Sequence, residues 1–327
     1  MKLDNLFLGL AVADIARRHP LTYVDIGCRG GFQSDLLPIA FAVNAVGFEP
    51  DPDELARLHR QHAGPWLSSR FLPYAIAGTT RRQKLFVPAD AQSASLMRHD
   101  AEIGHRFKKP QFFDVQKTVD IDALSLGDAV RVAGSTTPDY LKIDIEGAEL
   151  EVFEASPEVM NGVLAVKTEV SFLVHRHGQP LSYHVEAYFK GHGFDLMDIL
   201  QPAHWRREGY LLHPYMAPEN PPYSRGQIVH ADHLYFRNPD ALGSDAGPLI
   251  KLALISMAFG YFDNALMILE RPDLQQHLRR LGGGASPTEI VRPAARKYGR
   301  KMFAHAAWQQ LRGGVPFIRY FRNFLAG

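Results

Sequence analysis

Short apolar runs alternate with amphipathic stretches between residues 22 and 237, and this alternation restricts the fold more than any other feature of the chain. The runs have the length of buried strands, and the stretches between them are long enough to form crossover helices. Strands that alternate with helices are typical of a mostly parallel sheet with helices on its faces. We therefore predict an α/β fold.

The predicted elements follow from these runs and from the turn residues that bound them. Strands are predicted at residues 23–26, 45–48, 70–74, 85–87, 140–145, 163–169, 194–199 and 233–237, and a further strand is indicated near 115–121. Helices are predicted at residues 52–61, 124–130, 148–155 and 182–190. The Pro- and Gly-bearing stretch 201–227 interrupts the last strands and predicts a long loop or lid.

The character of the chain changes near residue 240. Residues 249–259 and 262–270 predict two short helices, and a glycine-rich break follows at residues 281–287. Beyond this break, eight basic residues stand against one acidic residue. We predict three parts: an N-terminal helix (1–20), a central domain (21–240) and a helical, basic C-terminal extension (241–327) outside the core.

The cations of this tail are interleaved with aromatic residues such as Phe303 and Trp308. A basic amphipathic segment of this kind suits an anionic membrane surface, which predicts peripheral membrane contact. The alternative is that the aromatic side chains pack on the core or on a second copy of the chain, which would form a homodimer.

Composition excludes some classes of protein. Lys and Arg total 36 against 35 Asp and Glu, so the whole chain lacks the basic footprint of a nucleic-acid-binding protein. The single cysteine, Cys28, excludes an internal disulfide and suits a reducing cytoplasm, where we expect the protein. The apolar stretch at residues 6–13 resembles a signal-peptide core, but Asp4 and the amphipathic pattern around Asp14 favour a helix.

A glycine-bearing turn follows the first predicted strand, within residues 23–31. Its glycines, among them Gly27 and Gly31, let the backbone approach a ligand closely, and Asp25 precedes them on the strand. Their spacing does not fit the G-x-G-x-x-G pattern of dinucleotide sites. Glu49 ends the second predicted strand about 20 residues further on, where an acidic residue can accept both hydroxyls of a ribose.

The turn and Glu49 belong to a longer resemblance that covers about residues 20 to 240. Residues 48–52, 93–96, 118–124, 139–150 and 231–236 resemble the FkbM-type methyltransferases, most specifically in Lys142-Ile-Asp-Ile-Glu-Gly-Ala-Glu149. The resemblance implies a class I methyltransferase fold, a Rossmann-like sheet with flanking helices, and S-adenosylmethionine as the methyl donor. It also implies transfer to a hydroxyl oxygen, often on a sugar, glycolipid or polyketide.

The donor site is predicted from the turn, from Glu49 and from this resemblance. It comprises Asp25, Gly27, Cys28, Arg29, Gly31, Glu49, Pro50 and Ser95. Where the family commonly has Gly-Ala-Asn, this chain has Gly27-Cys28-Arg29. Arg29 either pairs with the methionine carboxylate of the donor or points to solvent.

Acidic side chains follow the strand predicted at residues 140–145, and the carboxyl end of a central strand faces the ligand crevice. Lys142, Asp144 and Glu146 share one face of that strand, and Glu169 ends the next one. A carboxylate there can take the proton of an acceptor hydroxyl, and so can His175. Alternatively, Asp144 and Glu169 hold a Mg²⁺ ion that lowers the pKa of that hydroxyl.

Two other functions compete with methylation of a small-molecule or glycan hydroxyl. Asn220-Pro-Pro-Tyr223 resembles an element of amino-group methyltransferases and, with the basic tail, would suit nucleic acid or protein. That element belongs directly after the fourth strand, a place held here by residues 142–146, so residues 220–223 are better interpreted as a Pro-rich loop. The other competing hypothesis is a non-catalytic scaffold that keeps the fold. We expect a small-molecule or glycan acceptor and no nucleic acid.

Overall fold

The computed structural model describes residues 3–60, 64–134, 137–207, 226–281 and 284–325. The strands in these ranges are β1 (Leu21–Ile26), β2 (Val43–Phe48), β3 (Ser68–Leu72), β4 (Ala75–Ile76), β5 (Arg81–Pro88), β6 (Val115–Leu124), β7 (Tyr140–Ile143), β8 (Ala165–Ser171), β9 (Phe194–Trp205) and β10 (Gln227–Arg237). The α-helices are α1 (Ala11–Arg18), α2 (Pro52–Arg60), α3 (Ala101–Arg106), α4 (Leu126–Val132), α5 (Glu149–Glu154), α6 (Pro157–Met160), α7 (Ser182–Gly191), α8 (Ala246–Phe259), α9 (Phe262–Leu269), α10 (Pro272–Leu281) and α11 (Pro287–Leu325).

Seven strands form the main sheet, in the order β3-β2-β1-β7-β8-β10-β9. The five strands from β3 to β8 pair in parallel, and β10 and β9 continue the sheet antiparallel. The carboxyl ends of β1, β2 and β7 therefore meet along one edge. Strands β1 and β7 are buried almost throughout, because the sheet is covered on both faces. The predicted α/β fold is confirmed.

Two apolar cores lie on opposite faces of the main sheet. Tyr23 and Tyr140 point to one face and pack with α1 and with α8 to α11. Val24 and Leu141, the next residues along the same strands, point to the other face and pack with α4 to α7. This alternation follows from the two-residue period of a strand.

The helices predicted after residue 240 are confirmed as α8 and α9, but the prediction that this region lies outside the core is wrong. Nine residues of α8 are buried, and all of them except Ser256 belong to the same apolar core as the sheet residues Leu21 and Tyr140. Helix α8 is apolar on nearly all sides because the sheet covers one side of it and α9 to α11 cover others.

Helix α1 confirms the helix predicted near the N-terminus, although it begins only at Ala11. Leu6 and Phe7, from the apolar stretch before it, are buried in the same core as α8. No helix in the described ranges combines the length and the apolarity that crossing a membrane requires.

A second, smaller sheet contains β4, β6 and β5 in that order. The strands predicted at residues 85–87 and 115–121 are confirmed as β5 and β6, but both are longer than predicted and neither joins the main sheet. Their antiparallel pairing runs from Arg81 opposite Ala123 to Val87 opposite Lys117. Backbone pairing thus extends each strand beyond its apolar residues.

The loop predicted over residues 201–227 is wrong at both ends. Strand β9 continues to Trp205, which pairs with Gln227 at the start of β10. Pro202 lies at an irregularity of this antiparallel pairing, where its missing N–H costs no hydrogen bond. The residues between 208 and 225, including the Asn-Pro-Pro-Tyr element, lie outside the described ranges.

Candidate active site

A cavity of about 960 Å³ lies at the carboxyl ends of β1, β2 and β7. One wall consists of the segments that follow these strands, and another consists of residues of β5 and β6. A doubly wound sheet places its ligands at this edge. The volume is near the upper end of the ~300–1,000 Å³ range of small-molecule sites, so the cavity has room for more than one small ligand.

Gly27 connects three strands at the centre of this edge. Its N–H donates to the carbonyl of Phe48 at the end of β2 (3.1 Å), and the N–H of Asp144 donates to the carbonyl of Ile26 (3.1 Å). Gly27 has a φ of +75°, and a Cβ there would lie 2.0 Å from the backbone oxygen of Asp144. Only glycine fits between β1 and β7 in this conformation.

Lys142 is buried under this turn and links Asp25 to Asp144. Its Nζ lies 3.4 Å from Oδ1 of Asp25 and 3.6 Å from Oδ2 of Asp144, and it donates to the carbonyl of Gly27 at 3.2 Å. Burial acts to lower the pKa of Lys142, but the two aspartates outweigh burial and hold that pKa above its usual value. The lysine is therefore charged and fixes the turn against β7.

Glu49 is buried at the end of β2, yet it lines the cavity. Its Oε1 accepts the N–H of Asp51 at 2.9 Å. Burial raises the pKa of Glu49, and hydrogen bonds from a ligand would offset the cost of burying this carboxylate. Arg29 lines the same wall and donates to Oδ2 of Asp51 at 3.2 Å, an arrangement that neither sequence-based alternative included.

Three carboxylates meet near the carboxyl ends of β7 and β8, two after β7 and one, Glu169, still within β8. One oxygen from each of Asp144, Glu146 and Glu169 lies within 4.8 Å of the others. Burial raises the pKa of Glu146, and burial together with the charge of Glu146 raises the pKa of Glu169 to about 8. Nδ1 of His230 lies 3.4 Å from Oε2 of Glu169. Such a cluster can accept and release protons near neutral pH.

Arg176 and Ser95 hold Glu146 in a backbone conformation that residues other than glycine rarely adopt. The φ of Glu146 is +64°. The buried guanidinium of Arg176 donates to Oε2 of Glu146, and the hydroxyl of Ser95 donates to its backbone oxygen at 2.8 Å. Strained backbone of this kind persists where its surroundings over-determine it, and it concentrates at functional sites.

The structure brings together most, but not all, of the residues predicted from the sequence. The predicted residues that line the cavity are Gly27, Arg29, Glu49, Pro50, Ser95, Asp144 and Glu146. The predicted residues that do not line it are Asp25, Cys28, Gly31, Glu169 and His175. Asp25 is fully buried and accepts the hydroxyl of Tyr23 at 2.7 Å, so it orders the turn without reaching the cavity.

The contacts of His175 and Cys28 give both residues a structural role. Nε2 of His175 accepts from the guanidinium of Arg176 at 2.7 Å, so its proton is on Nδ1, which donates to the carbonyl of Leu173 at 2.9 Å. Burial lowers the pKa of His175 to about 3. With both nitrogens engaged, His175 orients Arg176 and is not placed to act as a base.

Cys28 is buried against Gly47, and burial raises the pKa of its thiol.

Lys142, Arg176 and His230 complete the site, although sequence reasoning assigns a function to none of them. The parity of Lys142 with Asp144 on β7 is the one local signal. Arg176 and His230 reach their carboxylates from distant parts of the chain, and no spacing rule connects them.

The comparison with protein families concerns the same part of the molecule. Residues 36–196 match the family model of the methyltransferase FkbM domain. The chain contains an FkbM methyltransferase domain. The match extends from just before β2 into β9, so it includes Glu49, the carboxylates after β7 and the small sheet, and the glycine turn precedes it. The main sheet of this FkbM domain is that of a class I methyltransferase. No curated protein matches the chain by sequence.

Proposed function

We propose that the protein transfers a methyl group from S-adenosylmethionine to a hydroxyl oxygen of a small-molecule acceptor such as a sugar or a glycolipid. The observation that carries this proposal is that the Gly27 turn lines one cavity together with Glu49, Asp144 and Glu146, which lie within the FkbM match. The family supports methyl transfer as the class of reaction, and the residues of the cavity support the donor and the kind of acceptor.

The donor fits the wall formed after β1 and β2. Glu49 would accept the ribose hydroxyls, and the missing side chain of Gly27 leaves room for the donor beside the backbone of Asp144. Phe48 and Ile76 line the same part of the cavity and would contact the adenine ring. When bound, S-adenosylmethionine supplies a methyl group on a positively charged sulfur.

Asp144 and Glu146 supply the base for the acceptor. An alcohol must lose its proton as it attacks, and a carboxylate within hydrogen-bond reach can accept that proton. Burial raises the pKa of Glu146 and so makes it a better proton acceptor near neutral pH. Lys142 beside Asp144 and Arg176 beside Glu146 hold the two carboxylates in place.

A Mg²⁺ ion is the alternative means of activating the hydroxyl. Asp144 and Glu169 offer the oxygen ligands that this ion prefers, and Glu146 adds a third. Each carboxylate already lies beside a basic side chain, however, since Glu169 pairs with His230 much as the other two pair with Lys142 and Arg176. This charge compensation favours direct proton transfer.

The donor site is tested by Glu49→Ala. Loss of the ribose contacts should weaken S-adenosylmethionine binding by ~1.5–3 kcal/mol, the range for hydrogen bonds to charged groups. Calorimetric titration of the purified protein measures this loss. Asp53→Ala is the matched control, because Asp53 is an exposed carboxylate on the same wall, and its affinity should stay near that of the wild type. An unchanged affinity for Glu49→Ala would remove Glu49 from the site.

The acceptor is sought by comparing the metabolites of a deletion strain with those of its parent, for a compound whose mass differs by one methyl group. The purified protein should then form that compound with methyl-labelled S-adenosylmethionine. Donor binding without any methylated product would instead support the non-catalytic scaffold.

A further inference from the structure

The small sheet has a charged face and a face toward the cavity that is mostly apolar but also carries Lys117. Along β5 and β6, Lys84 pairs with Asp120 on one face, and both are exposed. The neighbouring pair, Leu85 and Val119, has the opposite parity and lines the cavity. We call the apolar residues of this inner face the roof of the cavity: Leu85, Val87, Val119 and Ile121.

Within the described residues, the roof is only partly covered by protein, since Val87 is buried but Leu85, Val119 and Ile121 are not. An antiparallel sheet ordinarily packs its apolar face on a core. Beside this sheet there is only an alanine-rich cluster that includes Ile121, and Leu85 and Val119 belong to none of the apolar clusters of the described residues. Val119 is 38% exposed although it lines the cavity. The part of the roof around Val119 is therefore available to a ligand.

The roof lies close to the carboxylates proposed to act as the base. Phe86, which follows Leu85, exchanges two backbone hydrogen bonds with Ser95, at 2.9 and 3.1 Å. The hydroxyl of Ser95 in turn donates to the backbone of Glu146 at 2.8 Å. Ser95 thus connects β5, the strand that carries Leu85 and Val87, to the backbone of Glu146.

We propose that the roof binds an apolar part of the methyl acceptor, so that the acceptor is an amphiphile. Its hydroxyl lies at Asp144 and Glu146, and an alkyl chain or apolar ring lies against Leu85 and Val119. This inference rests on the proposed function, because it places an acceptor hydroxyl at those carboxylates. A free sugar would leave the roof in contact with water, whereas an amphiphile removes its apolar surface from water and gains affinity.

Two glucosides that share a head group test the proposal. We would titrate the protein calorimetrically with methyl β-D-glucoside and with n-octyl β-D-glucoside below its micelle concentration, with and without S-adenosylhomocysteine. Burial of several methylenes predicts that the octyl compound binds at least about tenfold more tightly. Equal affinities for the two glucosides would overturn the proposal.

Val119→Gln and Val115→Gln form a matched pair of variants. Both valines lie on β6 with similar exposure, 38% for Val119 and 40% for Val115, but an irregularity in the pairing with β5 separates them and only Val119 lines the cavity. Val119→Gln should remove most of the preference for the octyl compound, and Val115→Gln should keep it. Equal losses in both variants would overturn the proposal, because they would indicate detergent binding to the open sheet.

Titration with S-adenosylmethionine separates this inference from the proposed function. Val119→Gln should bind the donor as the wild type does, and a parallel loss of donor affinity would show that the roof covers the donor and would overturn the inference. A wild-type protein that binds no donor but shows the Val119-dependent preference would contradict the proposed donor alone. The roof would then stand as an amphiphile site.

Discussion

Asp144 is the residue at which the structural and chemical requirements of the site meet. Its backbone contacts Gly27 closely enough to exclude any side chain there, and its carboxylate faces the cavity beside the buried charge of Lys142. A buried lysine that has lost its water must be compensated by nearby carboxylates. Asp25 and Asp144 share that role, so the group proposed to take the proton also helps to stabilise the turn proposed to bind the donor.

Asp144→Asn separates the chemistry from donor binding. The amide keeps the shape of the side chain but is a far weaker base, so turnover should fall by about 100-fold or more. Donor affinity should stay nearly unchanged, because Asp25 still compensates Lys142 and holds the turn. Asp35→Asn is the control, because Asp35 pairs with the buried Lys167 on the neighbouring strand and does not line the cavity. Equal turnover in Asp144→Asn and the wild type would exclude Asp144 as the base.

Chelation decides between the direct base and the metal. With EDTA in the assay, wild-type turnover should persist if the carboxylates act directly. A loss of turnover that added Mg²⁺ restores would instead assign Asp144 and Glu169 to a metal site.

At the scale of elements, α8 shows how packing changes the meaning of an apolar pattern. Asp245 caps the start of the helix, where its side chain accepts the N–H of Gly247 at 3.1 Å, and Gly260 caps the end in the left-handed conformation. These signals are local and readable from the sequence. That α8 lies between the main sheet and the other C-terminal helices depends on surfaces far away along the chain.

Leu252→Ala should destabilise the protein by about 2–5 kcal/mol, because Leu252 is fully buried in the core that α8 shares with the sheet. Urea unfolding followed by circular dichroism measures the free energy of unfolding. Met267→Ala on α9 is the matched control, since Met267 is 54% exposed and should cost at most about 0.5 kcal/mol. Similar small costs for both variants would contradict the packing described for α8.

At the scale of the whole molecule, α11 joins a buried part to an exposed one. Ile290 and Ala294 are buried in the core with α8, and the ring of Tyr298 packs edge-on against Phe262. Further along the helix, Phe303 is 76% exposed and Trp308 is 58% exposed. The alternative to membrane contact was packing on the core or on a second copy, and its first part, packing on the core of the same chain, is therefore wrong for Phe303 and Trp308. Contact with a membrane or with a second copy stays a prediction.

Two truncations distinguish the parts of α11. Ending the chain after residue 286 removes Ile290 and Ala294, so it should lower the melting temperature and cause aggregation. Ending it after Gly299 keeps these residues and should keep the fold. The full chain should co-sediment with anionic vesicles and not with zwitterionic ones, and the chain that ends after Gly299 should do neither. If both forms ignore anionic vesicles and only the full chain dimerises, membrane contact is wrong and self-association explains the exposed aromatic residues.

The sequence by itself determined the features that depend on neighbouring residues. The period of the apolar runs indicated the α/β fold, and the parity of residues on a strand placed Asp144 with Lys142. The glycine turn and Glu49 follow two paired strands that are consecutive in the chain, so only about 20 residues separate them. This spacing was sufficient to connect them from the sequence.

Only the tertiary structure decided which distant side chains meet. The conformation of Glu146 depends on contacts with Ser95 and Arg176, which lie far before and after it in the sequence. Arg176 also contacts His175. Strand pairing likewise turned Gln201–Trp205 from a predicted loop into part of β9, and turned Val119 toward the cavity. A local pattern indicates whether a residue can be buried. Only folding brings that residue together with the distant side chain that covers it or pairs with its charge.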